Sequence, residues 1–130
     1  MTPGSRLLLD THAVLWWFTG NARLPTAVRA RIERATMLTI SAVALWEIAI
    51  KVSTGCLDAD LEALGSTISN AGIPMLNPSL AHAIALRDLP LHHRDPFDRL
   101  LIAQAQVEGL TLVSADRAFG AYDVPVLWAG

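Results

Sequence analysis

The sequence predicts an α/β fold: a parallel sheet with helices on both faces. Three observations carry that prediction. Short apolar runs of strand length (Arg6–Leu9, Met37–Ile40, Ile73–Leu76, Thr111–Val113 and Val126–Trp128) alternate with helical patterns nearly throughout, and such alternation places helices over the faces of a parallel sheet. Helix-capping residues stand directly behind some of those runs, with Asp10 after Leu7-Leu8-Leu9 and Ser41 after Met37-Leu38-Thr39-Ile40. Hydrophobic residues make up 52% of the chain and charged residues 17%, which is enough apolar material for a core and argues against disorder.

Each element has its own local reason. Arg6–Leu9 reads as a short buried strand. Asp10-Thr11-His12 opens an apolar helix over Ala13–Phe18, with Asp10 as N-cap, and Gly20-Asn21 breaks it. Pro25-Thr26 opens a second helix to about Ala35, where Val28, Ile32 and Ala35 recur at helical spacing and Arg29, Arg31, Glu33 and Arg34 take the other side. Ser41 caps a helix through about Val52, ended by Ser53-Thr54-Gly55. Asp60–Ala71 is helical again and stops at Gly72. After the strand Ile73–Leu76, Ser79–Arg87 forms a helix and Asp88–Arg94 a loop. Asp95 caps the next helix, with Pro96 at the first helical position, where proline is favoured; it runs to Glu108 and ends at Gly109. Thr111–Val113 is a strand, Asp116–Phe119 a short helical turn, and Val126–Trp128 the last strand.

At 130 residues the chain reads as a single domain over residues 1–130. Mean hydropathy is positive, +0.39, yet Ala13–Phe18 and Ala42–Ile50 fall far short of the ~20 apolar residues a spanning helix needs. The N-terminal region has no signal-peptide cleavage pattern. The expectation is a soluble cytoplasmic protein with no membrane contact. Cys56 stands alone, which rules out an internal disulfide and a cysteine-based zinc site. The net charge of −2 gives no global support to nucleic-acid binding. Nine of the ten basic residues are arginine, and Arg23, Arg29, Arg31 and Arg34 cluster; arginine suits phosphate contacts, but the plain reading is a solvated helix face.

The chemistry concentrates in four acids. Asp10 ends the first strand, Glu47 lies in the helix after the second, Asp98 in the first turn of the helix capped by Asp95, and Asp116 two residues after Ser114. In an open α/β sheet ligands bind at the carboxyl ends of the strands, so all four can meet at one edge. Each has a structural alternative. Asp10 is a good N-cap. Glu47 can pair with Lys51 at i+4; otherwise it points back toward the helix start and reaches the sheet edge. Asp95 and Asp98 resemble a capping box, which assigns Asp95 to capping and leaves Asp98 to reach inward. Ser114 can cap the short turn and Asp116 can offset its positive end. Together these alternatives crowd four carboxylates, and like charges ~4 Å apart repel by roughly 4 kcal/mol at an effective dielectric of 20. A divalent cation relieves that repulsion. An all-oxygen site suits Mg²⁺ or Mn²⁺, and an ion held so can activate water and offset charge on a phosphate.

The runs Leu9-Asp10-Thr11-His12, Leu45-Trp46-Glu47-Ile48-Ala49-Ile50-Lys51, His93-Arg94-Asp95-Pro96-Phe97-Asp98-Arg99-Leu100-Leu101 and Val113-Ser114-Ala115-Asp116-Arg117-Ala118-Phe119 resemble PIN-domain proteins, and among them the VapC-type toxins of bacterial toxin–antitoxin pairs. The resemblance covers nearly the whole chain in order. It implies a PIN-like three-layer α/β/α fold with a central parallel sheet of about five strands. It also implies an Mg²⁺- or Mn²⁺-dependent endoribonuclease acting on RNA, a cognate antitoxin protein that inhibits it, and a homodimer. By position, Asp10, Glu47, Asp98 and Asp116 correspond to the acidic metal-site residues. Ser114 matches a supporting hydroxyl, Thr11 is a looser match of the same kind, and Asp95 belongs to the same motif.

Other residues read more plainly. His92-His93 precede a loop–helix junction and read as structural or surface, with contact to RNA phosphate as the alternative. His12 and His82 read as core or surface, Trp16, Trp17 and Phe18 as core or dimer packing, and Trp46 as a core anchor. Three competing functions are weaker. A receiver-like signalling domain needs a further acidic pair after the first strand and a lysine after the last, whereas the only lysine is Lys51. A haloacid-dehalogenase-like phosphatase needs Asp-x-Asp, where this chain has Asp10-Thr11-His12. An inactive PIN-like binding module is opposed by the complete acidic set.

Overall fold

The computed structural model describes residues 6–130; residues 1–5 of the expected domain lie outside the described residues. Five strands form one sheet: β1 (Arg6–Leu9), β2 (Met37–Ser41), β3 (Met75–Leu76), β4 (Thr111–Ser114) and β5 (Val126–Trp128). Every pairing is parallel and the order is β3-β2-β1-β4-β5. Six helices flank it: α1 (Thr11–Thr19), α2 (Thr26–Glu33), α3 (Ala42–Ser53), α4 (Leu61–Asn70), α5 (Leu80–Asp88) and α6 (Pro96–Glu108), with a 3₁₀ turn over Arg117–Ala121. The alternation read from the sequence therefore describes the architecture. β3 is shorter than expected, because Pro74 has no N–H to give to the ladder and contributes only its carbonyl, which accepts from the Ile40 N–H at 3.3 Å.

Strand pleating divides the core. Leu7 and Leu9 face one way with Ile40 and Val113, toward Ala13 and Val14 of α1, Ile32 of α2, Ile48 of α3 and Leu64 of α4. Leu8 and Leu112 face the other way, toward Leu101, Ile102 and Ala105 of α6 and Phe119. Successive strand residues point to opposite faces, so one run of three leucines, all fully buried, serves both layers. From β1 the chain moves outward to β2 and β3, then returns to β4 on the other side of β1. The reversal falls between β1 and β4, and such a switch point opens a crevice at the carboxyl ends of the strands.

Candidate active site

The switch point is where the acids gather. Asp10 leaves β1 beside β4, its backbone N–H donating to the Val113 carbonyl at 3.1 Å. Its Oδ1 caps α1 by accepting from the Ala13 N–H at 2.8 Å. From the second turn of α3, Glu47 points back toward the helix start; its Oε1 accepts from the Thr11 hydroxyl at 2.6 Å and its Oε2 lies 2.8 Å from the Lys51 Nζ. Asp95 caps α6 by accepting from the N–H groups of Phe97 and Asp98, and Asp98 enters from the same turn. After β4, Asp116 caps the 3₁₀ turn through Ala118, while its own N–H donates to Ser114 Oγ at 3.0 Å. All five carboxylates line one cavity of about 150 Å³, together with Thr11, His12, Lys51 and His93.

Several placements differ from expectation. His93 is no bystander: its Nε2 lies 2.8 Å from Asp98 Oδ2, and ligand atoms of His93, Asp98 and Asp116 lie within 4.8 Å of one another. Its signal in the sequence was slight, a histidine five residues before an acid in a loop without periodicity. Trp46 is not a core anchor but 53% exposed. Helix α3 turns Val43, Ala44, Glu47 and Ile48 inward, which leaves Trp46 and Ile50 outside. The short turn after β4 is capped by Asp116 rather than Ser114. Both readings of Glu47 hold geometrically, since it pairs with Lys51 and still reaches the cavity. His12 is exposed at the cavity rim and stacks on Trp16, ring centroids 5.9 Å apart. In the arginine cluster, Arg29 donates to the carbonyls of Trp16 and Trp17 at the end of α1.

The electrostatics are those of a crowded acidic hollow. Burial pushes the Asp10 carboxyl above its ordinary range; the Ser114 hydroxyl and the Ala13 N–H oppose that, and nearby Asp116 adds to it. Asp98 is pushed up to about 6, first by burial; its hydrogen bond with His93 pulls the other way, and the charges of Asp95 and Glu47 push up again. Lys51 is held above its ordinary value by its hydrogen bond to Glu47. Proximity of acids in poorly solvated space disfavours the charged forms, and a hard divalent cation reverses that preference. Asp98 Oδ2 pairs with His93 Nε2 and Asp116 Oδ1 accepts from the Ala118 N–H, which leaves the second oxygen of each for a ligand. The donor set fits Mg²⁺ or Mn²⁺.

An open, doubly wound α/β domain with a carboxylate-lined hollow at its switch point is the class that fold and site define. Residues 7–125 match the PIN domain family, and the chain belongs to that family. It is 32% identical over 126 residues to Ribonuclease VapC22 of Mycobacterium tuberculosis, covering 92% of this chain and 93% of that protein. Its fold is similar to that in the crystal structure of VapBC2 from Rickettsia felis bound to a DNA fragment from their promoter, with a TM-score of 0.73 at 16% identity over 95% of this chain and 98% of that one. It is similar also to the DNA-bound VapBC of Salmonella typhimurium, with a TM-score of 0.71 at 16% identity over 96% and 98%. Among the described residues no helix is long and apolar enough to cross a membrane.

Proposed function

We propose that the protein is an endoribonuclease that cuts RNA phosphodiester bonds with the help of Mg²⁺ or Mn²⁺, and that it is the toxin of a type II toxin–antitoxin pair, neutralised by a protein antitoxin. The observation that carries this reading is the convergence of Asp10, Glu47, Asp98 and Asp116, from four separate parts of the chain, on one hollow at the switch point. The 32% identity to a ribonuclease over most of both chains supports the substrate class. The likeness to toxin–antitoxin complexes supports the partner.

Asp10, Glu47, Asp98 and Asp116 are the side chains that would hold the ion. When bound, such an ion lowers the pKa of a water molecule and offsets charge on the attacked phosphate. The chain supplies the rest. Thr11 and Lys51 fix both oxygens of Glu47. The Lys51 side chain is 41% exposed, and its ammonium can also meet a phosphate oxygen of the RNA strand. Ser114 holds the backbone of Asp116 and flanks Asp10, so one hydroxyl sets the separation of two acids. An antitoxin side chain carrying positive charge would fill the same hollow and exclude the ion. We also propose that two copies associate as a homodimer.

The test is cleavage of a defined RNA by the purified protein and by Asp98→Asn. The variant is expected to cut about 100-fold more slowly or worse, the equivalent of the several kcal/mol a metal ion contributes to developing charge, with an unchanged circular dichroism spectrum. EDTA should abolish wild-type cleavage, and Mg²⁺ or Mn²⁺ should restore it. Undiminished cleavage by the variant, or in EDTA, overturns the proposal.

A further inference from the structure

We propose that His93 is a nitrogen ligand of the ion shared by Asp98 and Asp116, and that it gives this site a preference for Mn²⁺ over Mg²⁺; the inference rests on the metal-dependent reading above. Three observations carry it. Ligand atoms of His93, Asp98 and Asp116 all fall within 4.8 Å of one another. Donors about 2.1 Å from one octahedral ion stand roughly 3 Å apart when adjacent and roughly 4 Å apart when opposite; the 2.8 Å from His93 Nε2 to Asp98 Oδ2 is a hydrogen bond that an ion would replace, and its length is also the spacing of an adjacent pair of ligands. The two residues also approach from different segments, the loop before α6 and its first turn, so their closeness is not imposed by a shared helix face.

The chemical consequence follows from ligand type. Mg²⁺ favours oxygen and keeps its waters. Mn²⁺ shares the oxygen preference of Mg²⁺, but it is the transition metal of the two, and a softer imidazole nitrogen adds more to its binding than to that of Mg²⁺. A hollow lined by carboxylates alone would separate the two ions poorly. With His93 the same hollow acquires a donor that Mg²⁺ uses little. A histidine that served only as a counter-charge to Asp98 would leave no nitrogen in contact with the ion.

The experiment is Mn²⁺ titration followed by electron paramagnetic resonance, with spin-echo modulation to detect nitrogen bound to the metal. Wild type should show directly bound nitrogen. His93→Gln should lose it and bind Mn²⁺ on the order of tenfold more weakly, while Mg²⁺ affinity, read by competition, changes less than about twofold. His12→Gln controls for the other histidine at the rim and should keep the nitrogen signal. Nitrogen coupling that survives in His93→Gln overturns the inference, as does its absence in wild type with Mn²⁺ bound. In the latter case, Mn²⁺ binding that Asp98→Asn abolishes would leave the nuclease reading standing. Wild type that binds neither ion overturns both.

Discussion

Asp98 shows what it takes to hold a carboxylate in this hollow. Its pKa rises from an ordinary 3.8 to about 6, with burial as the largest cause. Between those values the folded protein keeps a proton that the unfolded chain has released, so stability falls as pH rises from about 4 to 6 and is level above. Asp98→Asn removes that loss. Discounted for partial solvation, the gain at neutral pH is about 1 kcal/mol, or roughly 3–5 °C in melting temperature for a domain of this size. Thermal unfolding without divalent ions should show the gain at pH 7.5 and little of it at pH 4.5; a lower melting temperature at pH 7.5 would refute the account. At this scale the sequence was readable wherever an acid also had a local duty. Asp10, Asp98 and Asp116 stand at strand ends or helix starts, and such positions are marked by their neighbours. His93 is held by a loop without period, and nothing in its surroundings announces a contact with Asp98.

Helices α3, α5 and α6 are tied together by a buried polar chain. Ser41 caps α3 through the Val43 N–H and donates its hydroxyl to Gln104 Oε1. Gln104 Nε2 approaches His82 Nδ1, which also accepts from the Ser79 N–H, and His82 Nε2 meets Glu108 at 2.9 Å. Ser41, His82 and Gln104 are all buried, so the chain stabilises only while complete. Gln104→Leu is expected to lower stability by about 1–3 kcal/mol by stranding two partners, and Ser41→Ala by about 1–2 kcal/mol as a lost cap. The double variant should lose less than the sum, because the two share one bond; urea denaturation of the three variants reads this directly, and strict additivity would deny the coupling. The caps were legible as sequence, Ser41 and Asp95 above all. Trp46 was not, because its size suggested the core, whereas α3 turns the arc centred on Ala44 and Glu47 inward and leaves Trp46 beyond its edge, exposed.

For the whole molecule the decisive feature is the order β3-β2-β1-β4-β5. It sets the ends of β1 and β4 side by side, so residues more than 100 positions apart meet at Asp10 and Asp116. Alternation of strands and helices predicted the parallel sheet; which strands neighbour one another depends on long-range packing that no local pattern encodes. An ion closing this junction acts on the folded state alone. At 100 times its dissociation constant Mn²⁺ should stabilise the protein by about 2.7 kcal/mol, a rise of roughly 8–12 °C, reversed by EDTA and lost in Asp98→Asn; an equal rise in that variant would refute it. Asp10, Asp95 and Asp116 also hold the first N–H groups of α1, α6 and the 3₁₀ turn. An alanine scan of these positions would therefore mix unravelled helix ends with lost chemistry. Asparagine, which caps about as well as aspartate, removes the charge and spares the scaffold.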